Sequence, residues 1–500
     1  VTVTPDFPAF QKTYENGEAQ LIWRSLISDL ETPVSAYLKL AGRRKNAFLL
    51  ESVEGGETLG RFSIIGFKPD VIWRCSSGRS EINRNAAADP ARFAAEDGAP
   101  LDNLKRLLAE SAIEPPPDLP PMAAGVFGYL GYDMARQMER LGPRPAGGLD
   151  TPDSIFIRPT VVAVFDNVRQ QILLIAPVRP EPGVTAQTAY SRASERLSDA
   201  AEDLTAPLTV DRAAPAAISN PGEATSNTSP AEYAEMVEQA KEHIRAGDIF
   251  QAVLSQRFSA PFSAPPFELY RALRRSNPSP FLFYLCFDRF SIVGSSPEIL
   301  VRVRDNEVTI RPIAGTRARG ATQAEDVALE EELLADPKER AEHLMLLDLG
   351  RNDVGRSAKV GSVRVTESFA IERYSHVMHI VSNVVGELNE NVHPVDAVAA
   401  GFPAGTVTGA PKVRAMEIID SLEKSARGIY GGAIGYFSAD GNVDTCIALR
   451  TAIVKDNELH VQAGAGIVAD SQPESEQREC ENKAAALIAA ARDALARTGN

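Results

Sequence analysis

Five hundred residues, 44% hydrophobic and 24% charged, describe a globular chain rather than a disordered, fibrous or membrane-embedded one. The 67 acidic against 52 basic side chains leave a net charge of −15, which opposes contact with phosphate backbones and excludes nucleic acid as an expected partner. Cys75, Cys286, Cys446 and Cys480 lie far apart without metal-ligand spacing, no stretch reaches ~18 apolar residues, and the start has no leader pattern. A cytoplasmic chain with no zinc knuckle, disulfide framework or membrane contact is expected.

In chain order, NAFLLESV, FSIIGF, DVIWRC and PTVVAVFDN read as strands, and MAAGVFGYLGYD carries three glycines among aromatics, which suits closely packed backbones. A Pro-, Ala-, Ser- and Thr-rich seam follows, so the expected division is 1–205, a linker at 206–228, and a second part at 229–495. Ser229, Pro230 and Glu232 form a capping box before an apolar stripe ending at Gly247, which predicts a helix of about 16 residues. IFQAVLSQRFS, PFLFYLCFD and FSIVGSS are β-rich, so the second part reads as α+β.

Chemistry concentrates near the C-terminal third. In DPKERAEHLMLLDLG, Asp336 and Pro337 start a helix that places Glu339 and Glu342 on one face with Leu346 and Leu349. DSQPESEQRECENKAAAL repeats the carboxylate pair as Glu476 and Glu479, with Lys483 beside them. The ordinary alternatives are a capping role for Glu339 and a surface ion pair between Glu479 and Lys483. Burying two such pairs together requires a cation, and Mg²⁺ suits one or two carboxylates, water and an anionic substrate. Thr406, in the Gly/Thr turn before Pro411, is placed to face an anion. Gly464 and Gly466 leave room for a ligand or mark a β-bulge. Arg450, closing the apolar run CIAL, needs a carboxylate from the protein or from a ligand. His379 sits within a strand apolar on both faces, as a core histidine or a catalytic one.

Taken together, RPIAGTRARG, ERAEHLMLLDLGRND, IERYSHVMHIVS, GTVTGAPKVRAMEIID, GIYGGAIGYF, ALRTAIV, QAGAGIVADSQPESEQRECENKA and the earlier LLES and NPSPF resemble the chorismate-utilising enzymes, in particular the anthranilate synthase component I family. The resemblance runs almost continuously from about residue 228 to 490 and more loosely through the first part. It implies a large α/β sandwich around an internal cleft, and chorismate, a dicarboxylate, as substrate. By the same resemblance Glu342 and Glu479 bind Mg²⁺, with Glu339 and Glu476 around its water shell. Gly315, Thr316, Tyr430, Arg450, Gly464, Ala465, Gly466 and Lys483 surround the substrate, and Thr406 matches another substrate contact. Glu298 matches a general acid and His379 the residue tied to pyruvate elimination.

Gln251 stands where water-using relatives carry a lysine base, and Ala314 where aminodeoxychorismate synthases carry a nucleophilic lysine, so ammonia addition followed by elimination is expected. No Gly-x-Cys-x-Gly turn for glutamine hydrolysis occurs, which implies a partner amidotransferase subunit, with a homodimer of the large subunit as a further possibility. Ser52, Pro280, Phe281 and Leu282 match a feedback-inhibitory tryptophan pocket, with Phe281-Leu282 departing from the Tyr-Met frequent there. The alternatives are an aminodeoxychorismate synthase component and a non-catalytic tryptophan-binding regulator on the same scaffold.

Overall fold

Strand pairing is antiparallel throughout the computed structural model, which describes residues 2–54, 58–208, 222–374 and 377–498. Among these residues the ladders join into one connected network of 22 strands. Both parts of the chain contribute to the same ladders. Ala47–Glu54 pairs with Phe281–Cys286, and Gly125–Leu130 pairs with Ala433–Ser438. Most of the expected linker, residues 209–221, lies outside the described residues.

The two-residue period of a strand assigns the layers. Within Ser154–Asp166, Val162 and Val164 join Phe48, Phe127, Phe283 and Ile292 in a core made mainly of strand residues. Val161, Ala163 and Phe165 point the other way, into a core shared with Leu197, Tyr233 and Leu487 of three helices. A third core joins Trp73, Val126 and Phe156 to Leu104, Leu347 and Met416 on the opposite helical side. The chain thus forms the expected α+β sandwich, strands inside and helices outside.

The helix at Pro230–Arg245 has the predicted capping box, Ser229 accepting from the Glu232 N–H and the Glu232 carboxylate from the Ser229 N–H. FSIIGF and DVIWRC are not two strands but one, Thr58–Ser76. Its ladder with Ser154–Asp166 shifts register between Pro69 and Val71, where Pro69 faces Pro159. Two prolines donate no ladder hydrogen bond, so the break in pattern marks a bulge rather than an end. The close packing foreseen for MAAGVFGYLGYD is present: a Cβ on Gly128 would fall 1.9 Å from the Ile155 carbonyl oxygen. Among the described residues no helix is long and apolar enough to cross a membrane.

Candidate active site

The first acidic helix, Pro337–Gly355, starts as its sequence dictates, the Asp336 carboxylate accepting from the Lys338 and Glu339 N–H groups at 2.9 and 3.3 Å. Glu339 does not turn back to complete a capping box. Its carboxylate accepts from Arg317 at 3.2 Å, and a Cβ on Gly315 would lie 3.1 Å from its Oε2. Burial raises the Glu339 pKa, Arg317 opposes that, and the Glu342 charge adds to it. Glu342 accepts from the Gln251 amide at 3.0 Å. Along the same helix Leu346 and Leu349 pack on the Gly405–Val407 turn, where a Cβ on Gly405 would fall 2.1 Å from Leu349.

The second acidic helix, Pro473–Thr498, reaches the same place from the other side. Glu458–Ile467 pairs with Gln251–Pro261 in unbroken register, so Gly464 and Gly466 mark no bulge. A Cβ on Gly466 would lie 2.5 Å from the Gln251 amide nitrogen, and one on Gly464 2.9 Å from the Tyr430 hydroxyl. Ala465, between them, is buried opposite Leu254. Lys483 donates to the Gly464 carbonyl at 2.9 Å and pairs with Glu479 at 2.7 Å, half-exposed, so the i, i+4 ion pair is formed. Glu342 reaches Gly466 through Gln251, and Glu479 reaches Gly464 through Lys483. Two residues along a strand span about 7 Å, so the helices converge on one short stretch of backbone. Burial raises the pKa of Glu476, the Ser471 hydroxyl opposes that, the Glu479 charge adds to it, and Lys338 of the first acidic helix is near enough to oppose it as well.

His379 stands on Val377–Glu387, 6% exposed. Its Nδ1 lies 3.1 Å from the Gly315 carbonyl and 3.0 Å from the Thr316 hydroxyl. A carbonyl only accepts, so Nδ1 carries the proton and Nε2 is a bare acceptor. Among the described residues Nε2 is buried without a partner. Burial lowers the His379 pKa to about 4, and the nearby Arg450 charge adds to that. Arg450 itself has a left-handed backbone, φ 45°, and burial lowers its pKa as well. No carboxylate among the described residues pairs with it, so of the two partners its setting demands, the ligand is left. Glu298 is 5% exposed, and both its oxygens accept from the Thr406 hydroxyl at 3.2 Å. Burial pushes its pKa up to about 8 despite that bond, which favours the protonated acid. The Thr406 hydroxyl, expected to face an anion, donates to this buried acid. Tyr430 is buried, and the Arg427 guanidinium lies 5.5 Å from its ring centre.

Ser52, Pro280, Phe281 and Leu282 line a cavity of about 860 Å³. Ser52 faces Phe281 across the ladder. Opposite walls include Met122, Ile434 and Tyr374, and the Tyr374 ring centre is 5.6 Å from that of His379. The neighbouring Glu51 is clamped by Arg274 at 2.7 and 3.0 Å and accepts from the Tyr270 hydroxyl. Sequence reasoning passed over Glu51, Tyr374, Arg317 and Arg427. A charged side chain next to an apolar run was the available sign for Glu51 and Arg427.

As to the cation, no three His, Cys, Asp or Glu side chains among the described residues gather into a self-sufficient metal cage. The donors present are carboxylates on two helices, two of them with burial-raised pKa values. Such a set fits a hard ion that takes few protein ligands and completes its shell with water and substrate.

A sandwich with a polar cleft, a buried acid and an arginine awaiting a carboxylate defines an enzyme for a small anionic substrate. Residues 67–489 match the model of the chorismate binding enzymes, and the chain belongs to that family. Within it, anthranilate synthase component 1 of Cereibacter sphaeroides is 56% identical over 493 residues, 98% of this chain and 97% of that protein. The corresponding protein of Pseudomonas aeruginosa is 47% identical over 477 residues, 93% and 94% of the two chains. The crystal structure of anthranilate synthase component I from Streptococcus pneumoniae superposes with a TM-score of 0.75 at 38% identity, over 93% of this chain and 99% of that one. The menaquinone-specific isochorismate synthase of Escherichia coli, 20% identical with a TM-score of 0.68 over 98% and 100% of the chains, shares the fold.

Proposed function

We propose that the chain is the large subunit of an anthranilate synthase, a Mg²⁺-dependent lyase that converts chorismate and ammonia to anthranilate and pyruvate. The reading rests on one observation above the rest: Arg450, desolvated and held at positive φ, has no carboxylate partner among the described residues, and its charge acts on His379, whose Nε2 is unpaired. Substrate carboxylate would supply that partner.

The residues divide the work. Arg450 and Lys483 bind the carboxylates, while Tyr430 and the backbone at Gly315, Thr316 and Gly464–Gly466 border the ring. Glu298, protonated by its apolar surroundings, gives its proton to the departing ring hydroxyl as ammonia adds. His379, neutral with Nε2 bare, is disposed to take a proton as the enol-pyruvyl group leaves as pyruvate and the ring becomes aromatic. Glu342 and Glu479, with Glu339 and Glu476 around them, would hold Mg²⁺, which when bound neutralises the ring carboxylate and templates the substrate. Gln251 is committed to Glu342 and is no base for activating water, and Ala314 offers no amine to the ring.

Ammonia would come from a glutamine amidotransferase subunit. Tryptophan, as feedback inhibitor, would occupy the cavity at Ser52, Pro280, Phe281 and Leu282, where the 1–205 part meets the 229–495 part. The protein would act in the cytoplasm. The test is a fluorescence assay for anthranilate from chorismate, ammonium and Mg²⁺, with and without tryptophan. Formation of anthranilate with loss of rate on adding tryptophan is expected; an unaromatised amino product, or no consumption of chorismate, would overturn the proposal.

A further inference from the structure

Arg427, stacked beside Tyr430, is 5% exposed and makes four hydrogen bonds through its guanidinium. Nε and Nη2 donate to the Glu423 carboxylate at 2.9 and 2.6 Å, Nη1 to the Val407 carbonyl at 2.6 Å, and Nη2 also to the Val253 carbonyl at 2.6 Å. Its flat face lies 4.6 Å from the Tyr132 ring centre and 5.5 Å from that of Tyr430. Glu423 in turn accepts from the N–H and hydroxyl of Ser255 at 2.8 Å each, and that hydroxyl accepts from Gln462 at 2.8 Å.

Each segment so joined carries a piece of the site. Val407 follows Thr406, which holds the acid Glu298. Val253 is two residues from Gln251, which holds Glu342. Gln462 shares a strand with Gly464 and Gly466, and Tyr430 faces Gly464. A buried ion pair adds little stability over well-packed apolar residues, so its distinctive contribution is directional: four fixed bonds, two to Glu423 and one each to the Val407 and Val253 segments. We infer that Arg427, anchored by Glu423, is a positioning residue that keeps the acid-bearing turn, the Gln251 strand and Tyr430 in mutual register. The inference rests on the anthranilate synthase reading.

Arg427→Lys tests it, because lysine keeps the charge that Glu423 requires but cannot reproduce the planar fork. Ser255→Ala loosens Glu423 more gently. The folded fraction of each variant is fixed by circular dichroism and thermal melting, and kcat, KM for chorismate and pH profiles are taken per folded molecule. A misplacement near 1 Å predicts a fall in kcat/KM of about 100-fold for Arg427→Lys, with KM raised as well as kcat lowered. It also predicts an alkaline limb moved to higher pH, since a displaced Thr406 hydroxyl no longer lowers the Glu298 pKa. Ser255→Ala should move the same parameters in the same direction by less. Wild-type kcat, KM and pH profile in folded Arg427→Lys, even with a lower melting temperature, would overturn the inference. Should Arg427→Lys not fold, unaltered parameters in Ser255→Ala would do so. Wild type that makes no anthranilate sinks the functional reading and this inference with it, whereas active wild type with kinetically unaltered variants sinks the inference alone.

Discussion

In the cleft, Glu298 and His379 are 5% and 6% exposed, and each is fixed by named partners, Thr406 for the one and Gly315 with Thr316 for the other. Around Ser52 and Phe281 the chain instead leaves about 860 Å³ of space, bordered by Pro121, Met122, Pro280 and Ile434. Chemistry requires charges and proton donors held before the reaction begins, because reorganising them afterwards adds to the barrier. A binding pocket requires room and an apolar wall with a few polar groups. Tyr374 belongs to both regions, lining the cavity while its ring stands 5.6 Å from His379.

The largest effect should follow from breaking the cleft at its acidic helices. Glu342→Gln or Glu479→Gln should cut Mg²⁺-supported turnover by about 1,000-fold or more, the several kcal/mol a metal contributes, with the circular dichroism spectrum unchanged. Unaltered activity in both would remove the metal assignment. Next comes Glu298→Gln, with a loss of about 10²- to 10⁴-fold for a general acid. Stability sharpens this test: the folded-state pKa of Glu298 lies above its unfolded value, so its contribution is present at low pH and is lost as pH rises through about 8. Melting temperatures of Glu298→Gln should therefore gain on wild type across that range, and a constant difference from pH 6 to 9 would contradict a buried, protonated Glu298.

Thr406→Val should do less. Removing the hydroxyl that donates to Glu298 raises the carboxyl pKa further, so the alkaline limb of kcat/KM moves to higher pH. A limb that moves down would assign the hydrogen bond the wrong role. Smallest for the chemistry itself is Ser52→Ala, on the cavity side of the comparison. Its uninhibited rate should stay near that of wild type while more tryptophan is needed for half-inhibition. Inhibition unchanged in that variant would place the regulatory pocket elsewhere.

Legibility in the sequence followed the range of the interactions. Asp336 with Pro337, and Ser229 with Glu232, announce their helices because a cap is made within four residues. The i, i+3 pairs Glu339/Glu342 and Glu476/Glu479 were visible for the same reason. Whether Gly464 and Gly466 made a bulge was not, since that depends on register with a strand about 200 residues earlier. Nor was the partner of Thr406, a glutamate 108 positions away. Arg427 gave only the weak sign of a charge beside the apolar GIYGGAIGYF, because its bonds reach back to Val407 and Val253.

Read alone, the sequence determined where the main helices and strands lie, which family they resemble and which side chains are ionisable, all properties of short stretches of chain. Only tertiary structure decided the burial that favours a protonated Glu298 and, among the described residues, the bare Nε2 of His379 and the lack of a carboxylate beside Arg450. Those states depend on burial and on neighbours from distant segments, since removal of water and the groups that replace it govern how strongly a side chain holds its proton or seeks a counter-ion.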